Sequence, residues 1–142
     1  MLYFDTSYLV RLYTRDAGWE KVRALAATGQ IGCCQHGQAE AVSSLHRKFR
    51  ERAVNQAEFN ALLTEFSRDC KAGAFTWLAL SPAVIERVQK VYSSLPSTVH
   101  LRAADAMHLA CAAENSLGKI YSNDAHLLAA ATYFDLTGHN VI

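Results

Sequence analysis

Short apolar runs alternate along the chain with longer segments in which apolar residues recur at helical spacing. Each run is bounded by polar or turn-forming residues, which is typical of a buried strand. The runs cover residues 2–4, 31–34, 75–80, 119–122 and 140–142. Because short strands that alternate with helices form parallel sheets covered on both faces, the pattern predicts an α/β fold with a mainly parallel central sheet.

Helical signals fill the intervals between these runs. Val42, Leu45 and Phe49 form one apolar stripe, with charged residues gathered on the opposite side. The sequences Asn-x-x-Glu at 55–58 and Ser-Pro at 81–82 are typical of helix starts. The pattern therefore predicts helices over 38–52, from 55, from 81, over 103–115 and over 125–131.

Composition places the chain among folded proteins of one domain. It has 142 residues, of which 51% are hydrophobic and 19% are charged, so the composition of a disordered chain is excluded. Fourteen Lys and Arg against 13 Asp and Glu leave a net charge of +1, and no overall field attracts nucleic acid or a membrane. We expect a single domain over 1–142, which binds any charged partner through a local patch.

Features of export and membrane insertion are absent from the sequence. The chain opens without a basic leader and reaches an acidic residue at Asp5, unlike a secretory signal. Its longest uncharged stretch, 73–85, is interrupted by Ser-Pro and is shorter than the roughly 20 apolar residues of a membrane helix. We therefore expect a cytoplasmic protein that contacts no membrane. The four cysteines form no Cys-x-x-Cys pair and are interpreted as small buried apolar residues.

Two carboxylates stand just beyond predicted strands. Asp5 directly follows the run 2–4, and Asp124 follows the run 119–122. In open parallel sheets, ligands bind in the crevice beyond the carboxyl ends of the strands. Each of these residues also precedes a helical pattern, so capping of a helix N-terminus is the alternative role.

Two further carboxylates, Glu40 and Asp105, stand in the first turns of predicted helices. The helix dipole favours an anion there, which is the alternative explanation for Glu40. Asp105 has apolar neighbours, and a buried carboxylate is costly unless it is paired or coordinates a metal. For Asp105 the alternative is an ion pair with Arg102 or His108, three residues away on either side.

These four carboxylates are all expected to face the same crevice, where they would repel one another. A hard divalent cation removes that conflict, because Mg²⁺ and Mn²⁺ prefer oxygen ligands. Such ions also activate water for attack on phosphorus. The joint pattern therefore predicts a site for Mg²⁺ or Mn²⁺ and hydrolysis of phosphodiesters by metal-activated water. The site residues are Asp5, Glu40, Asp105 and Asp124.

At these residues the chain resembles the PIN-domain family, and within it the VapC-like toxins of type II toxin–antitoxin systems. The matching segments follow the family's order and spacing and extend over essentially the whole chain. They are Leu-Tyr-Phe-Asp-Thr-Ser at 2–7, Gln-Ala-Glu-Ala at 38–41, Leu-Arg-Ala-Ala-Asp-Ala-Met-His-Leu-Ala at 101–110 and Tyr-Ser-Asn-Asp-Ala-His-Leu at 121–127. Ser-Asn before the fourth acid departs from the family, in which a threonine is common there.

The resemblance implies a three-layer α/β/α domain and a ribonuclease that depends on Mg²⁺ or Mn²⁺. It implies that Asp5 and Asp105 are direct metal ligands, and that Glu40 and Asp124 bind metal or act through coordinated water. It also implies a homodimer and a cognate antitoxin protein as partners. The supporting hydroxyl groups are those of Ser7 and Ser122.

Basic residues crowd the same predicted helix as Glu40, two to three turns further along. Arg47, Lys48 and Arg50 form a track that an RNA backbone approaching the metal would follow, which would make binding salt-dependent. A solvated helix face is the alternative interpretation of this stripe.

Two other functions use similar features. A phosphatase of the haloacid-dehalogenase type needs a second aspartate two residues after the first, and Ser7 occupies that position. A PIN-fold scaffold that binds RNA or a protein without cleaving it is the remaining alternative. Such members usually lack one or more of the acidic positions, whereas all four are present here.

Overall fold

Five short strands form one sheet in which every pair of neighbours is parallel. The computed structural model describes residues 1–142. The strand order is β3-β2-β1-β4-β5, so the first strand lies at the centre. The strands are β1 (Leu2–Phe4), β2 (Ile31–Cys34), β3 (Phe75–Leu78), β4 (Lys119–Tyr121) and β5 (Thr137–His139). The predicted α/β fold with a parallel sheet is confirmed.

The last strand lies three residues earlier than the sequence pattern predicts. Thr137–His139 pairs with Lys119–Tyr121, whereas the predicted run 140–142 forms no strand. Val141 and Ile142 instead pack against the apolar core as partly buried side chains. The apolar residues of 140–142 are therefore apolar because they are partly buried. The strand is formed by the more polar segment that precedes them.

Seven α-helices and one 3₁₀ helix connect and cover the strands. The capping box of Asn55 and Glu58 has both of its hydrogen bonds, and the Ser81 side chain accepts a hydrogen bond from the N–H of Val84. The helices are α1 (Thr6–Arg11), α2 (Trp19–Ala26), α3 (Gly37–Arg50), α4 (Gln56–Lys71), α5 (Pro82–Tyr92), α6 (Ala103–Glu114), α7 (Ala125–Ala130) and the 3₁₀ helix Ala131–Phe134.

The buried face of α3 differs from the predicted stripe. Val42 is 42% exposed, and the inward side is formed by Gly37, Ala41 and Leu45. A Cβ atom at Gly37 would lie 2.5 Å from Cys33 Sγ, so the start of the helix packs against β2 more closely than a larger residue allows. Gly37 and Ala41, the small residues on this side, are not recognised as part of an apolar stripe in the sequence.

Two apolar clusters lie on opposite faces of the sheet. Tyr3 belongs to the cluster that contains Leu109 and Phe134, whereas its neighbour Phe4 belongs to the cluster that contains Tyr8 and Leu45. Successive residues of a strand point to opposite faces, so β1 contributes to both cores. Helices α1 to α4 supply one cluster and α5 to α7 the other, which gives three layers.

The cysteines and the hydropathy of the helices provide two further observations. All four cysteines are free, and three of them, Cys33, Cys34 and Cys111, are buried, while Cys70 is partly exposed. None of the helices combines the length and the hydropathy that a membrane-crossing segment requires.

Candidate functional site

The carboxyl ends of β1 and β4 open into one polar cleft. Asp5 directly follows β1 and Asp124 lies shortly after β4, so the parallel pairing of these strands brings both residues to the same edge. The first turns of α3 and α6 add Glu40 and Asp105. The cleft has a volume of about 410 Å³ and no hydrophobic residue in its lining. It is lined by Asp5, Thr6, Ser7, Glu40, Ser44, Arg47, Arg102, Asp105, His108 and Asp124.

Asp5 is only 4% exposed and is held by three donors. Its Oδ1 accepts hydrogen bonds from Ser7 Oγ at 2.7 Å and from the backbone N–H of Tyr8 at 3.1 Å, while Oδ2 accepts from Ser122 Oγ at 2.5 Å. Asp5 is therefore the N-cap of α1, as the alternative interpretation expects, and it also lines the cleft. Burial raises the pKa of Asp5, and nearby His108 together with the hydrogen bonds that Asp5 accepts offsets this only in part.

The two serines connect the ends of β1 and β4. Ser122 Oγ donates to Asp5 and accepts the backbone N–H of Asp124 at 2.8 Å. Ser7 Oγ also donates to Asp5 and accepts the backbone N–H of Asn123 at 3.0 Å. The structure therefore places both predicted supporting hydroxyl groups against the first carboxylate, where they fix its orientation relative to the loop after β4.

One arginine bridges the other two aspartates. Arg102 donates from Nε to Asp105 Oδ2 at 2.9 Å and from Nη2 to Asp124 Oδ2 at 3.0 Å. Asp124 also uses Oδ1 to cap α7 through the backbone N–H groups of His126 and Leu127. The side chain of Arg102 is 76% exposed, so its charge can leave the two carboxylates without opening the core.

Glu40 is held through a single carboxylate oxygen. Its Oε2 accepts a hydrogen bond from Thr6 Oγ1 at 2.6 Å and lies 2.8 Å from His108 Nε2. Burial raises the pKa of Glu40, but the hydrogen bonds from His108 and Thr6 outweigh it and lower the pKa to about 2. Glu40 is therefore held in its charged form in the lining of the cleft.

Histidines around Glu40 form the tightest group of potential metal ligands. Ligand atoms of His36, Glu40 and His108 all lie within 4.8 Å of one another, whereas the four carboxylates are spread around the cleft. Carboxylates with no cation between them repel one another, and here the guanidinium of Arg102 lies between those of Asp105 and Asp124. His108 is buried and contacts Glu40, so of the two partners that the sequence offers to Asp105 only Arg102 pairs with it.

The sequence pattern missed Thr6 and Tyr3 as supporting residues. Thr6 binds Glu40, which is 34 positions away, and Tyr3 binds His108, which is 105 positions away. Thr6 directly follows Asp5 within segment 2–7, so its hydroxyl group could have been recognised from the sequence. Tyr3 gave no signal, because a tyrosine in an apolar strand looks like any other core residue.

The basic side chains of α3 point to two different sides of the helix. Arg47 lines the cleft, and together with Arg50 it also lines a neighbouring polar depression of about 140 Å³. Lys48 is turned away and forms an ion pair with Asp16, with 2.6 Å between Nζ and Oδ1. Lys48 therefore lies on a different side of α3 from Arg47 and Arg50, because consecutive helical residues are rotated by about 100° whereas residues three apart share a side.

The donor set of the cleft suits a hard divalent cation. Mg²⁺ and Mn²⁺ prefer oxygen ligands, and the cleft offers carboxylate and hydroxyl oxygens. Asp5 supplies an independent indication, because burial makes its charged form costly where no cation compensates it. The residues present therefore fit such an ion.

Comparison with known proteins identifies the family. The PIN-domain profile matches residues 2–133. The chain belongs to the PIN-domain family. No curated protein sequence matches this PIN domain.

Solved structures with the same fold share little sequence with this PIN domain. FitAcB from Neisseria gonorrhoeae is 18% identical with a TM-score of 0.77, covering 99% of this chain and 97% of that one. VapC20 from Mycobacterium tuberculosis, described as a sarcin-ricin loop cleaving toxin, is 16% identical with a TM-score of 0.71, covering 92% and 95%. VapBC2 from Rickettsia felis, bound to a DNA fragment from its promoter, is 12% identical with a TM-score of 0.68, covering all of both chains.

The hydrogen bonds to Glu40 predict a specific acid dependence of stability. Its pKa falls from 4.5 to about 2 on folding, so its stabilisation is complete above about pH 4.5 and is lost as the pH falls towards 2. Urea unfolding of the metal-free protein over this range should show a weaker acid dependence in Glu40→Gln than in the wild type. Glu20→Gln changes an exposed glutamate and should behave as the wild type. An unchanged acid dependence in Glu40→Gln would contradict the assigned hydrogen bonds.

The position of Arg102 predicts competition with a divalent cation. Because its guanidinium occupies oxygens of Asp105 and Asp124, Arg102→Ala should tighten Mn²⁺ binding. The gain should be at most roughly thirtyfold, since Arg102 makes two ion pairs and a surface ion pair contributes about 1 kcal/mol or less. Calorimetry measures it, with Arg68→Ala as the control because Arg68 is similarly exposed and pairs with Asp69 outside the cleft. Weaker Mn²⁺ binding by Arg102→Ala would show that the arginine supports the site instead.

Proposed function

We propose that this PIN domain is a metal-dependent endoribonuclease and the toxin of a toxin–antitoxin pair. The observation that carries the proposal is the meeting of four carboxylates, from four separate segments, in one cleft without apolar lining. Membership of the PIN-domain family and the fold shared with FitAcB and VapC20 support it. We propose that residues 1–142 act as one domain in the cytoplasm.

Mg²⁺ or Mn²⁺ is the proposed cofactor. Asp5 and Asp105 are the proposed direct ligands, with Glu40 and Asp124 as further ligands or as acceptors for coordinated water. When bound, such an ion activates water and stabilises the charge that develops on the phosphate. We assign no separate general base.

Residues around these acids position them for that role. Ser7 and Ser122 hold both oxygens of Asp5, and Thr6 holds Glu40. Asp124 is fixed by capping α7, so the loop that carries it cannot rotate freely. These contacts orient the acids in advance, which reduces the reorganisation needed when substrate binds.

RNA is the proposed substrate, and its backbone is proposed to follow Arg47 and Arg50. Arg47 belongs to the cleft itself, and Arg50 extends the positive charge into the adjoining depression. Phosphate contacts of this kind make binding salt-dependent and carry no sequence information. Selection among RNAs would therefore come from contacts outside this arginine pair.

An antitoxin protein and a second copy of this chain are the proposed protein partners. The resemblance to VapC-like toxins supports both, and the structural relatives include the complex named VapBC2. A non-catalytic PIN scaffold is the competing function. The presence of all four acids in one cleft favours catalysis over this alternative.

Cleavage of a mixed RNA pool tests the catalytic proposal. The purified protein should cleave RNA when Mn²⁺ is added and stop when the ion is chelated. Asp105→Asn should lower the rate by at least roughly 100-fold, because it removes a proposed ligand that is almost buried. Asp135→Asn is the matched control, since Asp135 is 89% exposed and pairs with Arg87 outside the cleft.

The variants separate the competing explanations. Equal cleavage by the wild type and Asp105→Asn would reveal a contaminating nuclease and overturn the proposal. RNA binding without cleavage at any metal concentration would favour the scaffold.

Growth of a bacterial host tests the toxin proposal. Expression of the wild type should arrest growth, whereas Asp105→Asn at the same protein level should not, because the arrest requires cleavage. Asp135→Asn should arrest growth as the wild type does. Normal growth at good expression of an active nuclease would count against a toxin, and co-expression of the cognate antitoxin should restore growth.

A further inference from the structure

A buried chain of hydrogen bonds runs from the backbone of β2 to Glu40. The N–H of Cys34 donates to Tyr3 Oη at 3.1 Å. Tyr3 Oη lies 2.9 Å from His108 Nδ1, and His108 Nε2 lies 2.8 Å from Glu40 Oε2. Tyr3 is fully buried and does not line the cleft, so it reaches the site only through His108.

The chemistry of the groups determines which way this chain points. A backbone N–H can only donate and an ionised carboxylate can only accept, so Tyr3 Oη accepts from Cys34 and His108 Nε2 donates to Glu40; in the neutral imidazole Nδ1 then accepts the proton of Tyr3. That arrangement leaves the proton of His108 on Nε2, directed at Glu40. A doubly protonated imidazole also donates from Nε2, so the donation to the carboxylate is the same in both states.

The hydroxyl group of Tyr3 is not needed for packing. Its ring lies in the apolar cluster with Leu109 and Ile120, where a phenylalanine of nearly the same volume would fill the space. A buried hydroxyl is costly unless it is hydrogen-bonded, and this one has partners on both sides. Its position is therefore explained by the hydrogen bonds that it makes.

All close contacts to Glu40 converge on one of its two oxygens. Thr6 and His108 both bind Oε2, and His36 Nε2 lies 3.7 Å from the same atom, which is too long for a hydrogen bond. No group of the chain forms a hydrogen bond to Oε1. The carboxylate is thus anchored on one side and left available on the other.

We propose that Tyr3 and His108 are positioning residues that lock Glu40 Oε2, so that Oε1 is the atom offered to the divalent cation. The inference rests on the proposed metal-dependent function, and it assigns the work of orientation to a tyrosine outside the cleft. Partners of this kind behind a metal ligand raise metal affinity by restricting the ligand to one orientation.

Mn²⁺ binding, measured by calorimetry, tests the proposal. Tyr3→Phe should raise the dissociation constant for Mn²⁺ about tenfold. Binding of a fluorescent single-stranded RNA in the presence of chelator should change less than about twofold, because Arg47 and Arg50 are untouched. Tyr13→Phe is the control, since it also loses a hydroxyl bonded to a carboxylate, that of Asp69, away from the cleft.

A double-mutant cycle separates positioning from general support of the fold. If Tyr3 acts through Glu40, Tyr3→Phe should have no further effect on Mn²⁺ binding in a Glu40→Gln background. An additive effect, or a parallel loss of Mn²⁺ and RNA binding, would overturn the proposal. His108→Gln keeps an N–H donor and should bind Mn²⁺ more tightly than His108→Leu; equal affinities would also overturn it.

The same measurements distinguish failure of this inference from failure of the proposed function. If the wild type binds Mn²⁺ and Tyr3→Phe binds it equally well, the positioning role is wrong and the metal site stands. If the wild type binds no Mn²⁺, the proposed function fails and the inference fails with it. Thermal unfolding of each variant identifies any that does not fold, in which case His108→Gln serves in place of Tyr3→Phe.

Discussion

Repulsion between carboxylates at one edge of a parallel sheet is the constraint on which this structure depends. Parallel neighbours end at the same edge, so acids placed after β1 and β4 meet there. The helices that start at this edge add two more. Four negative charges around a cleft of about 410 Å³ are unfavourable unless each has a donor or a shared cation.

The chain meets this constraint in two different ways. Asp5 and Glu40 are bound by neutral hydroxyl groups and by a histidine, and of these donors Ser122 and His108 are buried. Asp105 and Asp124 share Arg102, a charged group on an exposed side chain. The first arrangement fixes orientation, whereas the second supplies charge that a metal ion can replace. Asp5 and Glu40 are therefore held in fixed orientations, whereas the positive charge of Arg102 can be exchanged for that of a metal ion.

The charged residues of helix α3 make different contacts around the cleft. Helix α3 carries Glu40 at its start and turns Arg47 and Arg50 towards the same side further along. Lys48, between them in sequence, is used instead to hold Asp16. One helix thus contributes an acid and an arginine to the cleft, a second arginine to the adjoining depression and an ion pair on another side, because helical rotation separates neighbouring residues by about 100°.

The sequence by itself determined the alternation of short strands with helices, the parallel sheet and the four acids at strand ends and helix starts. These features are local: a run of apolar residues, a capping pair such as Asn55 and Glu58, or a carboxylate after a strand can be recognised within a few positions. Only the tertiary structure decided that Tyr3 stands behind His108 and that Arg102 serves two aspartates. It also decided that pairing of the last strand falls on Thr137–His139. Such contacts join residues far apart in the chain, and which groups meet depends on packing geometry that no local pattern records.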